Sequence, residues 1–439
     1  MTEKLEILKT LSEIVRKSQL KNLGIISSAM LSMSGSKTML NISRWTKEEL
    51  SYRSIQRFFS DKISWIDLCL KLFLVNIFTG QKLVLAVDET IVTKSGKATH
   101  GIDLFFNSIY QKVMKSLCFS CISIIDVDKL KSYPLFVSQL VFTPEEKLEA
   151  KAKKEKIKQS KGNKRGRKKG SKNNVKEKKL SGSFRLLKEQ LEKCVSVLKG
   201  KLSISHIVAD GFYGNITVIE ICNSLGLFLI SKLQSNPAIY YKYDKAYSGR
   251  GRKRIYGDKV DIKNLPYEYL VSHDIKDNVV TVIYQLTCLH KQFKKEINTV
   301  IIIKENIKTN KVAKAFFFST DLTLSSEQII QYYSSRFQIE FNFRDAKEFF
   351  GLEDFMNTTE TTVNNAVNLS FFMVLFSQIL LKIFRDKNFN QSLSIRDLIS
   401  TKRAEKYLFE TFKLFSNSHP NILLPTSFDS ITSLGRINL

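Results

Sequence analysis

Apolar residues recur at helical spacing near the start of the chain, at Leu5, Leu8, Leu11 and Val15. The same period returns in TKEELSYRSIQRFFSDKISWIDLCLKLFLVNIF, so residues 1–78 are expected to form an N-terminal helical domain. Thr46 and Glu49, three apart, predict a capping box that opens one of these helices. Arg53, Arg57 and Lys62 lie among its aromatics, which suits a DNA-binding bundle and a plain packing role equally. At Lys82 the pattern changes to short runs rich in β-branched and aromatic residues, the mark of strands. KLVLAVDET, SLCFSCISIIDVD and YPLFVSQLVFT predict three consecutive strands. A helical period follows over 183–198, then a strand in ISHIVAD, a helix in NITVIEICNSLG and a strand in LFLISKL.

The order β-β-β-α-β-α-β is that of an RNase H-like α/β domain. The expected fold class is therefore α/β, with an RNase H-like catalytic domain interrupted by a β-rich insertion, an N-terminal helical domain and C-terminal helices. Residues 79–233 would form the first part of the catalytic domain, including a basic loop at 145–179. The insertion spans 234–322, where VVTVIYQLTCL, NTVIIIKEN and AKAFFFSTD read as strands. Residues 323–385 would complete the catalytic domain. The tail, 386–439, reads as partly helical and then poorly structured, with Pro420 and Pro425.

Charge sharpens this picture. The 439-residue chain holds 69 Lys and Arg against 42 Asp and Glu, a formal net charge of +27. Such an excess draws a protein to polyanions, nucleic acid first among them. The 145–179 segment concentrates it, with sixteen Lys or Arg against five Glu. A block of like charge is expected to stay extended until a polyanion neutralises it. Lys164, Arg165, Arg167, Lys168 and Lys169, in GNKRGRKKGSKNN, are its candidate DNA contacts. A basic amphipathic helix for a membrane surface is not evident, and the opening MTEKLEILKTLSEIV lacks the apolar core of a signal peptide. The most apolar stretch, 366–384, carries Asn368, Ser370, Ser377, Gln378 and Lys382 and reads as a buried core helix, with no membrane partner. Cys118 and Cys121 form a lone CxxC without a second pair, so the six cysteines read as buried thiols of a reducing compartment. The expected location is cytoplasmic, bacterial and nucleoid-associated.

The candidate chemistry is carried by three acids. SSEQIIQYYSSRFQIEFNFRDAKEFFG opens with a Ser325-x-x-Gln328 capping box and stops at Gly351, predicting one long helix. At 100° per residue, Tyr333, Arg336, Glu340 and Lys347 fall within one narrow arc, and Arg344 extends it. One carboxylate among cations, flanked by apolar residues, suits an acid held over a phosphate track. Asp88 ends the strand VLAVDET and Asp210 ends the strand in ISHIVADGFYGN. Acids at strand ends of an open α/β sheet face the crevice where ligands bind. In-line displacement at a DNA phosphodiester builds charge on the attacking and leaving oxygens, which two Mg²⁺ ions can stabilise. Mg²⁺ prefers carboxylate and water oxygens, so Asp88 would bridge both ions while Asp210 holds one and Glu340 the other, with Mn²⁺ as a substitute.

Tyr-x2-Arg-x3-Glu-x6-Lys, here Tyr333, Arg336, Glu340 and Lys347, resembles the signature of the IS-four group of DDE transposases. Asp88 in VDET and Asp210 in ADGFYG are similar to the family's other two acids, and the similarity extends over about residues 40–385. The resemblance implies a metal-dependent transposase with Asp88, Asp210 and Glu340 as its metal acids. Tyr333, Arg336 and Lys347 would contact phosphates at the transposon end. It also implies double-stranded DNA partners (element ends and target), a homodimer that synapses two ends, and in part of the group a DNA hairpin intermediate. A domesticated or inactive DNA-binding protein retaining the fold is the alternative, and a nuclease without strand transfer is a third reading.

Overall fold

In the computed structural model, which describes residues 2–46, 49–107, 110–159, 180, 182–244 and 254–416, the predicted strands join in one mixed sheet. Its first half comprises β1 (Leu83–Thr93), β2 (Asp103–Asn107), β3 (Lys112–Asp126), β4 (Lys131–Leu140), β5 (His206–Ala209) and β6 (Phe228–Lys232). The second half comprises β7 (Ile239–Lys242), β8 (Tyr256–Lys259), β9 (Leu270–Lys276), β10 (Val279–His290), β11 (Lys295–Asn306) and β12 (Lys311–Ser319). Neighbours run β2-β3-β1-β5-β6-β12-β11-β10-β7-β8, with β4 also on β3 and β9 also on β10. At the centre β1 lies antiparallel to β3 but parallel to β5, and β5 is parallel to β6. Leu85, Ala86 and Val87 in β1 are fully buried, as expected of a strand covered on both faces. The β-rich segment after Asp210 continues this sheet, because β12 pairs antiparallel with β6 from Phe317↔Lys232 to Ser319↔Ile230.

The N-terminal helices are α1 (Thr2–Lys9), α2 (Lys17–Ser32), α3 (Met39–Thr46), α4 (Tyr52–Ser60) and α5 (Trp65–Asn76). The predicted cap at Thr46 is corrected. Thr46 closes α3, its hydroxyl donating to the carbonyls of Ser43 and Leu50, and Ser51 caps α4 by accepting from the Ser54 amide. The predicted loop at 145–179 is also corrected, since α6 (Pro144–Gln159) occupies its first part. Thr143 and Glu146 form a reciprocal capping pair at 2.8 and 3.2 Å, Pro144 suits a first helical position, and Glu145 and Glu146 complement the helix dipole. Lys164, Arg165, Arg167, Lys168 and Lys169 lie outside the described residues.

The remaining helices are α7 (Gly182–Leu198), α8 (Ile216–Ser224), α9 (Ser326–Ser335), α10 (Gln338–Glu348), α11 (Glu360–Lys387) and α12 (Ile395–Ser416). α11 is long and apolar enough to cross a membrane, yet 78% of its most apolar window is buried inside the protein, against β4, α4, α5 and α10. Its Asn368 accepts from the Val137 amide and donates to the Val137 carbonyl, satisfying backbone groups on the far edge of β4. The 386–439 segment was expected to be partly helical, and α12 is its helical part. In α12 the Arg403 guanidinium donates to the carbonyls of Ser32 and Met33, fastening this helix to the end of α2. Residues 417–439 lie outside the described set. All six cysteines are buried and free.

Candidate active site

The acid on β1 stands where one edge of the strand loses its partner. The parallel ladder to β5 stops at Val87↔Ala209, while the antiparallel ladder to β3 continues to Thr93↔Ser116. Asp88 was expected to end its strand; it ends only the β5 edge, and β1 runs five residues further because β3 still supplies hydrogen bonds there. Asp210 does leave β5 directly into a turn. Its Oδ1 accepts from the Phe212 amide at 2.9 Å, and its carbonyl accepts from the Tyr213 amide and the Ser231 hydroxyl. Gly214 presses this turn onto β6, where an added Cβ would stand 2.8 Å from the Lys232 carbonyl oxygen. Gly214→Ala is therefore expected to cost about 1–3 kcal/mol, read as a lowered thermal midpoint; an unchanged midpoint would mean that the turn yields freely.

The third acid arrives on a broken helix. The Ser325–Gln328 capping box forms as expected, but the single helix predicted to run on to Gly351 is interrupted between α9 and α10 at Arg336 and Phe337. The amides of Arg336, Phe337, Ile339 and Glu340 each bond three residues back, to Tyr333, Ser334, Arg336 and Phe337. This is a tighter 3₁₀-type turn, in which the angles of a continuous α-helix no longer apply. The Arg336 guanidinium meets Asp88 at 2.8 Å and Glu340 at 3.3 Å, with its side chain 15% exposed. Gly351 follows α10 at φ +71°, where a Cβ would also collide with Lys37.

The electrostatics bind these groups together. Burial pushes the Asp88 carboxyl up to about 6; Arg336 and the Glu89 amide oppose the rise, and the charges of Asp210 and Glu340 add to it. Burial works against the Arg336 charge, yet Asp88, Tyr333, Glu340 and Asp210 hold it above its ordinary value. Burial raises the Tyr333 phenol, whose ring packs on Phe317 at 4.5 Å between centroids. Tyr333, Arg336 and the three acids are thus one electrostatic cluster drawn from β1, the end of β5, and the α9–α10 junction.

Two candidates lie apart from it. Lys347 donates to the Ile91 carbonyl at 3.0 Å and pairs with Glu353. Arg344 is mostly exposed, paired with Asp345 and stacked over the Phe341 ring. Among the described residues no three His, Cys, Asp or Glu side chains converge closely enough to hold a metal ion as they stand. The donor chemistry nonetheless fits a hard divalent cation, because the acids offer only carboxylate oxygens and Asp88 is buried beside two like charges.

Sequence reasoning passed over Glu89 and Tyr213. Glu89 follows Asp88 and, by strand alternation, points to the opposite face. The Tyr213 hydroxyl donates to Glu89 Oε1 at 3.0 Å, and the Cys118 thiol lies 3.5 Å from Oε2. The one signal was the doubled acid in VDET, which reads as a turn until the strand is seen to continue.

Residues 8–279 match the DDE superfamily endonuclease family, a stretch that includes Asp88 and Asp210. Residues 168–396 match the family described as "Archaeal putative transposase ISC1217", a stretch that includes Asp210 and Glu340. No curated protein matches the chain. Enzymes of the DDE superfamily generally use divalent metal ions, in keeping with a cluster built from carboxylates. Each match covers more than half of the chain and they overlap across Asp210, so the chain belongs to the DDE superfamily of endonucleases and is a DDE transposase.

Proposed function

We propose that this transposase, of the IS-four group, binds the ends of an insertion sequence, cleaves them by metal-dependent hydrolysis and transfers the 3′ ends into target DNA. The observation that carries the reading is the Arg336 guanidinium, which pairs with Asp88 at 2.8 Å and Glu340 at 3.3 Å, from two separate elements, within the electrostatic reach of Asp210 at the end of β5. The strand order β3-β1-β5-β6, with β1 antiparallel to β3 and parallel to β5, supports an RNase H-like layout for the catalytic part. On this reading residues 79–233 and 323–385 form the catalytic domain, 1–78 a helical DNA-binding domain, and 234–322 the insertion.

Asp88, at the centre, would face two Mg²⁺ ions, with Asp210 on one and Glu340 on the other. Ions bound there stabilise the charge on the attacking and leaving oxygens of an in-line displacement. The chain's own residues orient the DNA. Arg336 presents a planar guanidinium that matches a phosphate in bidentate geometry. Tyr333, Lys347 and Arg344 continue along the same helices as further phosphate contacts. Lys164, Arg165, Arg167, Lys168 and Lys169 extend the contact by counterion release. Two copies of the chain would bring two ends together.

The test uses DNA carrying the ends that flank the gene, incubated with Mg²⁺, Mn²⁺ or EDTA. Cleavage at the ends with either ion, none in EDTA, and joined products with target DNA are expected. Cleavage that persists in EDTA would rule out the metal-dependent reading, and cutting without joining would reduce the protein to a nuclease. Arg336→Ala is expected to weaken end binding and to lower the slope of log K against log salt by about one phosphate contact. An unchanged slope would take Arg336 off the DNA.

A further inference from the structure

The β1–β5 ladder ends at Val87↔Ala209, one residue before both acids, so no strand pairing fixes the gap between Asp88 and Asp210. The Tyr213–Glu89 hydrogen bond crosses that gap. Tyr213 sits in the turn after Asp210, its amide bonded to the Asp210 carbonyl and the residue only 2% exposed. Its hydroxyl reaches Glu89 Oε1, on the residue next to Asp88. The path Asp210–Tyr213–Glu89–Asp88 runs through the Tyr213–Glu89 bond and closes into a ring through the last ladder pair, Val87 and Ala209. Ser231 below the turn and Gly214 pressed on Lys232 leave that ring little room to shift. Strand alternation turns the Glu89 carboxylate to the opposite face from that of Asp88, so Glu89 acts through the backbone they share.

We propose that Glu89 and Tyr213 are a positioning pair that sets the separation of the Asp88 and Asp210 carboxylates and thereby the affinity of the crevice for divalent ions. The proposal rests on the reading above, in which those two acids hold the ions. A buried tyrosine hydroxyl on one side and a carboxyl oxygen on the other suit the role, because the hydroxyl donates in one direction to a fixed acceptor 3.0 Å away. Groups that orient metal-holding side chains commonly change affinity about 10–100-fold when removed.

The experiment is a Mn²⁺ titration of the full-length protein without DNA, with free Mn²⁺ read by electron paramagnetic resonance. Tyr213→Phe and Glu89→Ala are each expected to bind Mn²⁺ at least about tenfold more weakly than the unaltered protein. The double variant should lose no more than either single one, since both remove the same bond. Glu89→Gln keeps an oxygen that accepts from Tyr213 and should stay close to the unaltered protein. End-DNA binding and far-ultraviolet circular dichroism should not change in any of them. Unaltered Mn²⁺ affinity in Tyr213→Phe would overturn the proposal. So would a loss in Glu89→Gln equal to that in Glu89→Ala, because charge and not the bond would then matter. If Tyr213→Phe fails to fold, the comparison of the two Glu89 variants decides alone. Asp88→Asn separates the two levels: Mn²⁺ binding that survives it would remove the metal-site reading itself, whereas its loss beside an unaffected Tyr213→Phe would remove only the positioning pair.

Discussion

Glu340→Gln protein should bind the element's ends as the unaltered protein does and cleave them about a thousandfold more slowly or worse. On the proposed reading Glu340 supplies an anionic oxygen to a divalent ion, and an amide of the same size offers a much weaker donor to a hard cation. Stabilisation of the displacement by bound ions is worth several kcal/mol, and about 4 kcal/mol corresponds to roughly 10³ in rate. Glu340 is a cleaner choice than Asp88. Its side chain is 42% exposed in the first turn of α10, so the fold loses little with its charge. Asp88 is only 19% exposed and faces Arg336 at 2.8 Å. Its removal leaves a half-buried guanidinium with a weaker partner, a fault that can cost about 3–5 kcal/mol of stability and confuse the result. Single-turnover cleavage and gel-shift binding, measured on the same end DNA, check the prediction. Cleavage within tenfold of the unaltered rate would discard Glu340 as a metal acid.

The largest effect on stability is expected from Phe372→Ala, at about 3–5 kcal/mol. Phe372 is fully buried in the middle of α11. Its ring packs against Trp65 of α5 at 5.8 Å and against Phe376 at 5.8 Å. The same interface holds a polar bolt: Trp65 Nε1 donates to Asn365, and Asn365 donates in turn to the carbonyls of Phe59 and Asp61. Truncation would open a cavity where the N-terminal helices meet the helix that covers β4. Trp65 is one of two tryptophans, so urea unfolding followed by its emission reads the interface directly. A loss below about 1 kcal/mol would show that the helices close around the gap, and that α11 is not the rigid centre its burial indicates.

Much of the local structure was legible in the sequence because local physics writes it. The strands around Asp88 and Asp210 carry continuous apolar runs, and a strand buried on both faces needs them. The Ser325–Gln328 box and the stop at Gly351 were readable because a cap and a left-handed backbone demand particular residues within a few positions. The helix at the start of the charged segment has its own local signal in Thr143-Pro-Glu-Glu146, a capping pair that precedes a run dense in lysines. The break at Arg336 was not readable. Its backbone stays in the helical region, with φ −51° and ψ −40°, and neither glycine nor proline marks it.

The acids show where sequence stops. By itself the sequence determined the candidate carboxylates, the basic charge and the residue types around Glu340, since these depend on composition and short spacing. Only the tertiary structure decided that Arg336 closes on Asp88, 248 positions away, and that Tyr213 reaches Glu89 across 124. Local periodicity carries no record of such pairs. They form because a parallel ladder ends one residue short of both acids, and because burial makes an unpartnered charge costly enough that the fold brings it a partner.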